Sequence, residues 1–216
     1  MSTLAGTSPL QRAIEAAAVP GILIGHRRIV DGDESALLPK ELSALANSVL
    51  KVRRASGAGR MVARELLLRL GRTQRAIPKS ALGMPVWPDG VVGSMAHDAK
   101  VAVAAVAERR DFSSVGIDIE PAEPLEPDLV DLVATARERQ WIGEVPCGGR
   151  LLFSVKEAVY KAVYPLDGTF LDHQDVEVCL TSATAVVRNG RIVRFRYGIS
   201  THIIVLAFVP GPPFVS

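Results

Sequence analysis

Two acidic side chains stand two residues apart in the segment Val115–Glu120, which has the apolar alternation of a strand. Side chains alternate between the faces of a strand, so Asp118 and Glu120 are expected on one face and Ile117 and Ile119 on the other, toward a core. Neighbouring carboxylates repel each other, and a cation between them relieves the repulsion. Oxygen-only ligands favour Mg²⁺ or Ca²⁺ over zinc. A hydrated polar strand face is the simpler interpretation of this segment alone, and it stays open here.

A third carboxylate and two lysines follow on a segment with the pattern of a helix. Glu157 and Lys161 are four residues apart and share a helix face, and Lys156 lies about a quarter-turn from Glu157. Taken alone, such a pair reads as an exposed ion pair that contributes only about 0.2–0.5 kcal/mol. Together with the two strand carboxylates, Glu157 could hold Mg²⁺ against a pyrophosphate. Lys161 could then neutralise charge on a phosphoryl group during its transfer.

Helices and strands are mixed along the whole chain around these motifs, so the fold class is α+β. The patterns predict helices over 39–50, 57–70, 128–143 and 150–164, with Pro165 ending the last. They predict strands over 91–95, 101–107, 115–119, 176–180, 184–188, 191–197 and 201–209. Asn189-Gly190 indicates a two-residue hairpin turn. The first thirty-odd residues have no clear pattern, and a loop covers 78–90. The proline-rich stretch 121–127 is a candidate boundary between halves.

The composition limits the class of protein. A length of 216 residues suits one large domain or two small packed halves, and 48% hydrophobic residues allow a globular core. A net charge of +2 is too small to indicate a nucleic-acid binder, although basic residues cluster between 53 and 79 and could face an anionic ligand. Two distant cysteines indicate neither a disulfide framework nor a zinc site, which fits a reducing cytosol. Neither a secretory signal nor an apolar run long enough to cross a bilayer is recognised.

Four stretches of the chain, taken in order, resemble the Sfp-type 4′-phosphopantetheinyl transferases, in the subgroup typified by enterobactin and mycobacterial enzymes. They are the basic helix with Arg53-Arg54, Arg60 and Arg64, the loop and strand 85–97 ending at His97, the strand 116–120, and the helix segment 153–161. Each motif alone is weak to moderate, but the four in order are specific. The resemblance implies two similar-sized α/β halves packed with pseudo-two-fold symmetry, with the active site between them. Residues 1–112 would bind the phosphates of coenzyme A, and residues 113–216 would carry the metal and catalytic groups.

The resemblance also implies the reaction and the role of each residue. The 4′-phosphopantetheine arm of coenzyme A is transferred to a serine of an apo acyl or peptidyl carrier domain, leaving holo carrier and 3′,5′-ADP. Asp118, Glu120 and Glu157 would hold Mg²⁺ at the pyrophosphate. Glu157, directly or through a metal-bound water, would accept the serine proton, and Lys161 would contact the phosphate under attack. The other implied contacts are to coenzyme A phosphates: Lys156 at the pyrophosphate, and Arg53, Arg60, Lys79 and His97 chiefly at the 3′-phosphate.

Several alternatives stay open at the level of sequence. Either Arg53 or Arg54 could make the phosphate contact, and Ala96 stands where the family usually has Ser or Thr. Another Mg²⁺-dependent phosphoryl-transfer enzyme or pyrophosphatase could use the same carboxylates, and a non-catalytic module could bind coenzyme A or a carrier. The absence of a GxxxxGK[ST] loop excludes the P-loop nucleotide hydrolases.

The resemblance extends to partners and setting. The subgroup favours secondary metabolism, where polyketide synthases and nonribosomal peptide synthetases carry the target domains. Apolar residues and arginines around 130–141, including Arg137 and Arg139, are a candidate surface for the carrier. The expected protein is a cytoplasmic monomer with no nucleic-acid or membrane partner.

Overall fold

The computed structural model describes residues 7–74 and 76–212 of the chain. The helices are α1 (Pro9–Ala17), α2 (Pro39–Leu42), α3 (Leu50–Arg69), α4 (Pro127–Val133) and α5 (Gly148–Asp167). The strands are β1 (Ile22–Arg28), β2 (Val91–His97), β3 (Val101–Glu108), β4 (Phe112–Pro121), β5 (Val176–Cys179), β6 (Thr184–Val187), β7 (Ile192–Ile199) and β8 (His202–Pro210). The predicted α+β class is confirmed.

Two antiparallel sheets divide these strands. One has the order β1-β3-β2, and the other has the order β4-β8-β7-β6-β5. The central strand β3 carries small residues, among them Ala104 and Ala105, which are fully buried. Ala104 belongs to the core that β3 shares with α3, and Ala105 belongs to the core that it shares with β4 and β8. Small side chains therefore let the helix and the second sheet approach β3 from both sides.

The second sheet is covered on its two faces by helices from opposite ends of the chain. The long helix α5 packs against β4 and the strands beyond it, in a core that includes Val155, Val159 and Phe195. The first helix α1 crosses over to the other face, where it packs on β7 and β8. There a side chain at Gly198 would lie 2.1 Å from the carbonyl oxygen of Ala13, so the strand and helix need glycine to pack this closely.

Seven of the eight strands in the described ranges were predicted, β1 and α1 were missed, and all four predicted helices have wrong bounds. The helix predicted over 39–50 is broken: α2 ends at Leu42, Val49 is extended, and α3 begins at Leu50, well before residue 57. The helix predicted over 128–143 ends at Val133. Pro165 lies inside α5, which continues to Asp167, because in the last turn a proline removes only one backbone hydrogen bond.

Candidate functional site

Gly116 sets the distance between β4 and α5. A side chain at this position would lie 2.0 Å from the carbonyl oxygen of Ala158 and 2.7 Å from the backbone nitrogen of Ala162. The helix therefore rests directly on the strand. Because Ile117 and Ile119 face the core on the other side of β4, the carboxylates of Asp118 and Glu120 face α5, as the alternation predicted.

Asp118 is the most buried carboxylate of the site, with 5% of its surface exposed. Its Oδ2 accepts a hydrogen bond from the Ser154 hydroxyl at 2.8 Å, and its Oδ1 accepts one from Lys161 Nζ at 2.6 Å. Burial raises the pKa of Asp118, and the charge of Glu157 acts in the same direction, whereas Lys161 and Ser154 oppose the shift. The sequence analysis missed Ser154, although positions 154, 157 and 161 recur at the i, i+3, i+7 spacing of one helix face.

Glu120 lies two residues after Asp118 on the same face of β4 and is partly exposed. Its Oε2 accepts a hydrogen bond from Arg150 Nη1 at 3.2 Å. Burial raises the pKa of Glu120, and the neighbouring charge of Asp118 adds to the shift. Arg150, in the first turn of α5, is a second residue that the sequence analysis did not assign to the site.

Glu157 faces the same region from α5 but has a different partner. Its Oε1 lies 3.5 Å from Nε2 of His173, and the His173 ring stacks on Phe153 with ring centroids 5.6 Å apart. The neighbouring His173 ring lowers the pKa of Glu157, and the charge of Lys161 contributes to the same shift. A cavity of about 300 Å³ opens beside Glu157, with Leu132 and Phe170 among its lining residues.

The three carboxylates therefore each contact a different basic side chain. Lys161 contacts Asp118, Arg150 contacts Glu120, and His173 contacts Glu157. Within 7–74 and 76–212, no group of three acidic, histidine or cysteine side chains is arranged to hold a metal ion as it stands. The strand pair is in place, and Glu157 is turned toward His173.

Lys156 lies in the interior, away from the expected pyrophosphate contact. Its ammonium donates hydrogen bonds to Glu138 Oε2 at 2.7 Å, to the Val133 carbonyl at 2.8 Å and to the His173 carbonyl at 2.8 Å. The side chain is 1% exposed. A step of one residue on a helix rotates a side chain by about 100°, so Lys156 points away from the face that carries Glu157. This placement does not support the role that the resemblance implied for Lys156.

A smaller cavity of about 230 Å³ lies between α3 and β2 and is lined by Arg60, Lys79 and His97. Arg60 is held by the Ile77 carbonyl through Nε at 3.0 Å and by the Ser56 hydroxyl through Nη1 at 3.0 Å. Its Nη2 is buried and has no hydrogen-bond partner among the described residues. Three of the four basic residues expected at the 3′-phosphate are thus brought together, whereas Arg53 does not line this cavity.

Arg53 and Arg54 have different surroundings. Arg54 is paired with Asp31 at 2.7 Å and with Glu34 at 3.1 Å. Arg53 is half-buried, and its Nε has no hydrogen-bond partner in the part of the chain that the structure describes. Of the two, Arg53 is the one available to an anionic ligand.

A larger cavity of about 490 Å³ continues from the basic one, and the two share Gly83, Pro85 and Met95. Its far wall includes Lys161 and the ring of Tyr164, both on α5. A cleft therefore runs from the basic side chains at β2 to the lysine that contacts Asp118.

No helix in the described ranges is long and apolar enough to cross a membrane.

A cleft with basic side chains at one end and Lys161, the partner of Asp118, at the other indicates an enzyme that acts on a phosphate-bearing substrate. Comparison with known families makes this class specific. Residues 40–107 match the 4′-phosphopantetheinyl transferase N-terminal domain, and residues 114–203 match the 4′-phosphopantetheinyl transferase superfamily. The chain belongs to the 4′-phosphopantetheinyl transferase superfamily, as the sequence motifs predicted.

Individual relatives agree with the family. The chain is 37% identical over 174 residues to the 4′-phosphopantetheinyl transferase Svp of Streptomyces mobaraensis, covering 76% of this chain and 71% of the relative. It is 34% identical over 183 residues to the 4′-phosphopantetheinyl transferase PptT of Mycobacterium tuberculosis, covering 83% and 78%. It is 33% identical over 220 residues to enterobactin synthase component D of Salmonella typhi, covering 87% and 89%.

Proposed function

We propose that this transferase moves the 4′-phosphopantetheine of coenzyme A to a carrier serine with Asp118, Glu120, Glu157 and Lys161 as its central residues. The observation that carries the proposal is the contact of Lys161 with Asp118 at 2.6 Å, at the end of the basic cleft. That contact joins a carboxylate of the strand pair to the cation that lines the cleft. A substrate phosphate in the cleft would meet both.

The carboxylates fit a magnesium ion by their chemistry. All their donor atoms are oxygens, which suits a hard divalent cation. The charges of Glu157 and Asp118 raise the pKa values of Asp118 and Glu120 respectively, so the groups lie within electrostatic range and a dication would relieve their repulsion. Asp118 and Glu120 would hold the ion, and Glu157 would join them when its side chain turns from His173. The metal would supply positive charge against the diphosphate of coenzyme A.

The side chains of the chain itself account for proton and charge movement. Glu157 has a lowered pKa, so it is ionised at neutral pH and can accept the proton of the carrier serine. The serine oxygen then bonds to the phosphorus that bears pantetheine, and the bond from that phosphorus to 3′,5′-ADP breaks. Lys161 lies at the cleft and counters the charge on the attacked phosphate.

We assign the two ends of coenzyme A to different parts of the cleft. Arg60, Lys79 and His97 would bind the 3′-phosphate, with Arg53 beside them on α3. The unpartnered Nη2 of Arg60 is a donor suited to a phosphate oxygen. The larger cavity next to Lys161 has room for the pantetheine arm.

The carrier would approach on the side of Glu157. Leu132 and Phe170 are exposed by 61% and 72% and line the cavity beside Glu157. Arg137 is exposed nearby in sequence, whereas Arg139 is engaged with Asp131. We propose that a carrier with an acidic helix covers this surface. Phe170→Ser and Arg137→Glu should each raise the KM for the carrier and leave the KM for coenzyme A unchanged; an unchanged carrier KM in both would contradict the docking surface.

The proposal includes the division into residues 1–112 and 113–216, which is supported by the separate family matches on the two sides of this boundary. It also includes a cytoplasmic monomer that needs neither nucleic acid nor membrane; the net charge of +2 argues against a nucleic-acid partner. Sedimentation equilibrium of the purified chain tests the monomer, and a dimer mass would contradict it.

One assay tests the function. The chain is incubated with coenzyme A, Mg²⁺ and an apo carrier domain, and the intact mass of the carrier is measured. We expect a gain of one phosphopantetheine. Phosphate release without a change in the carrier would favour a hydrolase or pyrophosphatase, and coenzyme A binding without either outcome would favour a non-catalytic module.

A variant at the proposed base sharpens the assay. Glu157→Gln should nearly abolish transfer, because the amide cannot accept the serine proton, while calorimetry should detect coenzyme A binding close to that of the unmodified chain. Glu15→Gln on the exposed face of α1 is the control and should keep full activity. A Glu157→Gln enzyme with the unmodified rate would show that the base assignment is incorrect.

A further inference from the structure

A contact between a histidine and a carboxylate joins the two sheets beside the cleft. Asp98 lies in the turn between β2 and β3, directly after His97, and His202 is the first residue of β8. The distance from His202 Nε2 to Asp98 Oδ2 is 3.0 Å. The two side chains are 17% and 13% exposed, for His202 and Asp98 respectively, so water competes weakly for this contact.

The Asp98 end of the pair is anchored to the segment that carries His97. Asp98 Oδ1 accepts hydrogen bonds from the backbone N–H groups of Lys100 at 2.6 Å and Val101 at 2.7 Å, which closes the turn. The ring nitrogen Nδ1 of His97 lies 3.2 Å from the Asp98 carbonyl oxygen. A displacement of Asp98 would therefore move the turn and the His97 ring with it.

The His202 end is anchored to the strand that carries the carboxylates. His202 pairs with Pro121 in the register of β4 and β8, and the next residue of β8, Ile203, pairs with Glu120. The second ring nitrogen of His202 lies 3.1 Å from the Thr201 hydroxyl, which fixes the orientation of the ring. The pair thus links the end of β4 near Glu120 to the turn beside His97.

We propose that Asp98 and His202 are positioning residues, which set the distance between the 3′-phosphate site and the carboxylates. The proposal rests on the proposed function, in which one coenzyme A molecule is held by His97 at one end and reacts near Asp118 at the other. A substrate held at two points transmits any relative shift of the sheets to its reacting phosphorus, and misplacement by about 1 Å can reduce a rate by about a hundred-fold. Neither side chain is placed at the reacting atoms.

The test compares coenzyme A with dephospho-coenzyme A, which lacks the 3′-phosphate. His202→Leu removes the polar contact with Asp98 and leaves an apolar side chain at the position. With coenzyme A, the variant should lower kcat/KM about ten-fold, mainly through a reduced kcat because the reacting phosphorus is misplaced, while the carrier KM stays unchanged. With dephospho-coenzyme A, the same substitution should change kcat/KM by less than about two-fold, the limit for independent sites.

Two further variants separate positioning from general stability. His202→Gln keeps an N–H donor and should restore most of the lost kcat/KM. His26→Gln replaces a half-buried histidine of β1 and should leave both substrates unaffected. Urea unfolding of each variant monitors the fold, and all rates are measured well below the unfolding midpoint.

The outcomes distinguish the two proposals. An unmodified chain that fails to modify any carrier contradicts the proposed function, and calorimetric Kd values for the two substrates then still test the pair. If His202→Leu keeps kcat/KM for coenzyme A within about two-fold of the unmodified chain, or lowers it equally for both substrates, the positioning role is overturned.

Discussion

Neighbouring positions on α5 have opposite environments. Glu157 faces the site, with a cavity beside it, whereas Lys156 is fully enclosed between α5, the segment after α4 and the segment before β5. The difference follows from the rotation of about 100° per helical residue. A lysine next to a functional glutamate in the sequence therefore need not belong to the same site.

We predict that Lys156→Met reduces the free energy of unfolding by about 3–5 kcal/mol, because it leaves the buried Glu138 carboxylate without its cation. Urea unfolding monitored by circular dichroism measures the change. Lys51→Met, at an exposed position of α3, is the matched control and should shift the free energy by less than about 0.5 kcal/mol. A Lys156→Met protein with unchanged stability and a raised coenzyme A KM would instead support the pyrophosphate contact.

Residue types and spacing predicted the common face of the strand pair and the lysine Lys161, but they missed Ser154, Arg150 and His173. The alternation around Asp118 and Glu120 sufficed to assign their common face, because a strand has a fixed period of two. Ser154 could have been found from its i, i+3, i+7 relation to Glu157 and Lys161. His173 could not, because its contact with Glu157 depends on how the segment after α5 folds back, which no local period encodes.

At the scale of elements, the contact between β4 and α5 depends on Gly116. We predict that Gly116→Ala reduces the free energy of unfolding by about 1–3 kcal/mol or more, since the added methyl group overlaps the helix backbone. It should also lower kcat, because a displaced α5 moves Lys161 away from Asp118. Thermal unfolding and the transfer assay measure the two effects.

Gly143→Ala is the control for this substitution. A side chain there would have no heavy atom within 4 Å. The control should therefore keep both stability and activity. Equal effects of the two substitutions would show that close packing at Gly116 is not the cause.

The bounds of an element could be predicted where the local sequence pattern sets them. They were missed where contacts with distant residues set them. Seven strands follow their apolar segments, whereas β1 lies in a stretch without a clear sequence pattern. The predicted helix over 128–143 stops because Thr135 and Glu138 form reciprocal side-chain to backbone hydrogen bonds, and Glu138 turns inward to Lys156. The T-x-x-E spacing of a capping box was the available signal.

The turn at Asn189-Gly190 is a related case. Gly190 donates to the Val187 carbonyl and has φ of 83°, and Val187 donates to the Arg191 carbonyl. These bonds make a three-residue connection with glycine in the left-handed region, instead of the predicted two-residue turn. The hairpin itself was predicted, because glycine is required in either turn.

On the scale of the whole molecule, the second sheet depends on a helix that precedes the first sheet in the chain. Helix α1 precedes the first sheet in the chain but covers β7 and β8 of the second, with Ala13 and Ile14 buried there. We predict that residues 113–216 produced alone fail to unfold cooperatively, because this face lacks its cover. Production together with residues 1–112 should restore cooperative unfolding and carrier modification. A cooperative transition of 113–216 by itself would contradict the prediction.

The crossing of α1 also has a consequence during synthesis. During synthesis α1 leaves the ribosome long before β7 and β8, which follow it far along the sequence. Contacts between such distant segments require closure of a very long loop, which slows their formation. We therefore expect α1 to remain unpacked while the three-stranded sheet forms. Its packing on β8 should be a late step of folding.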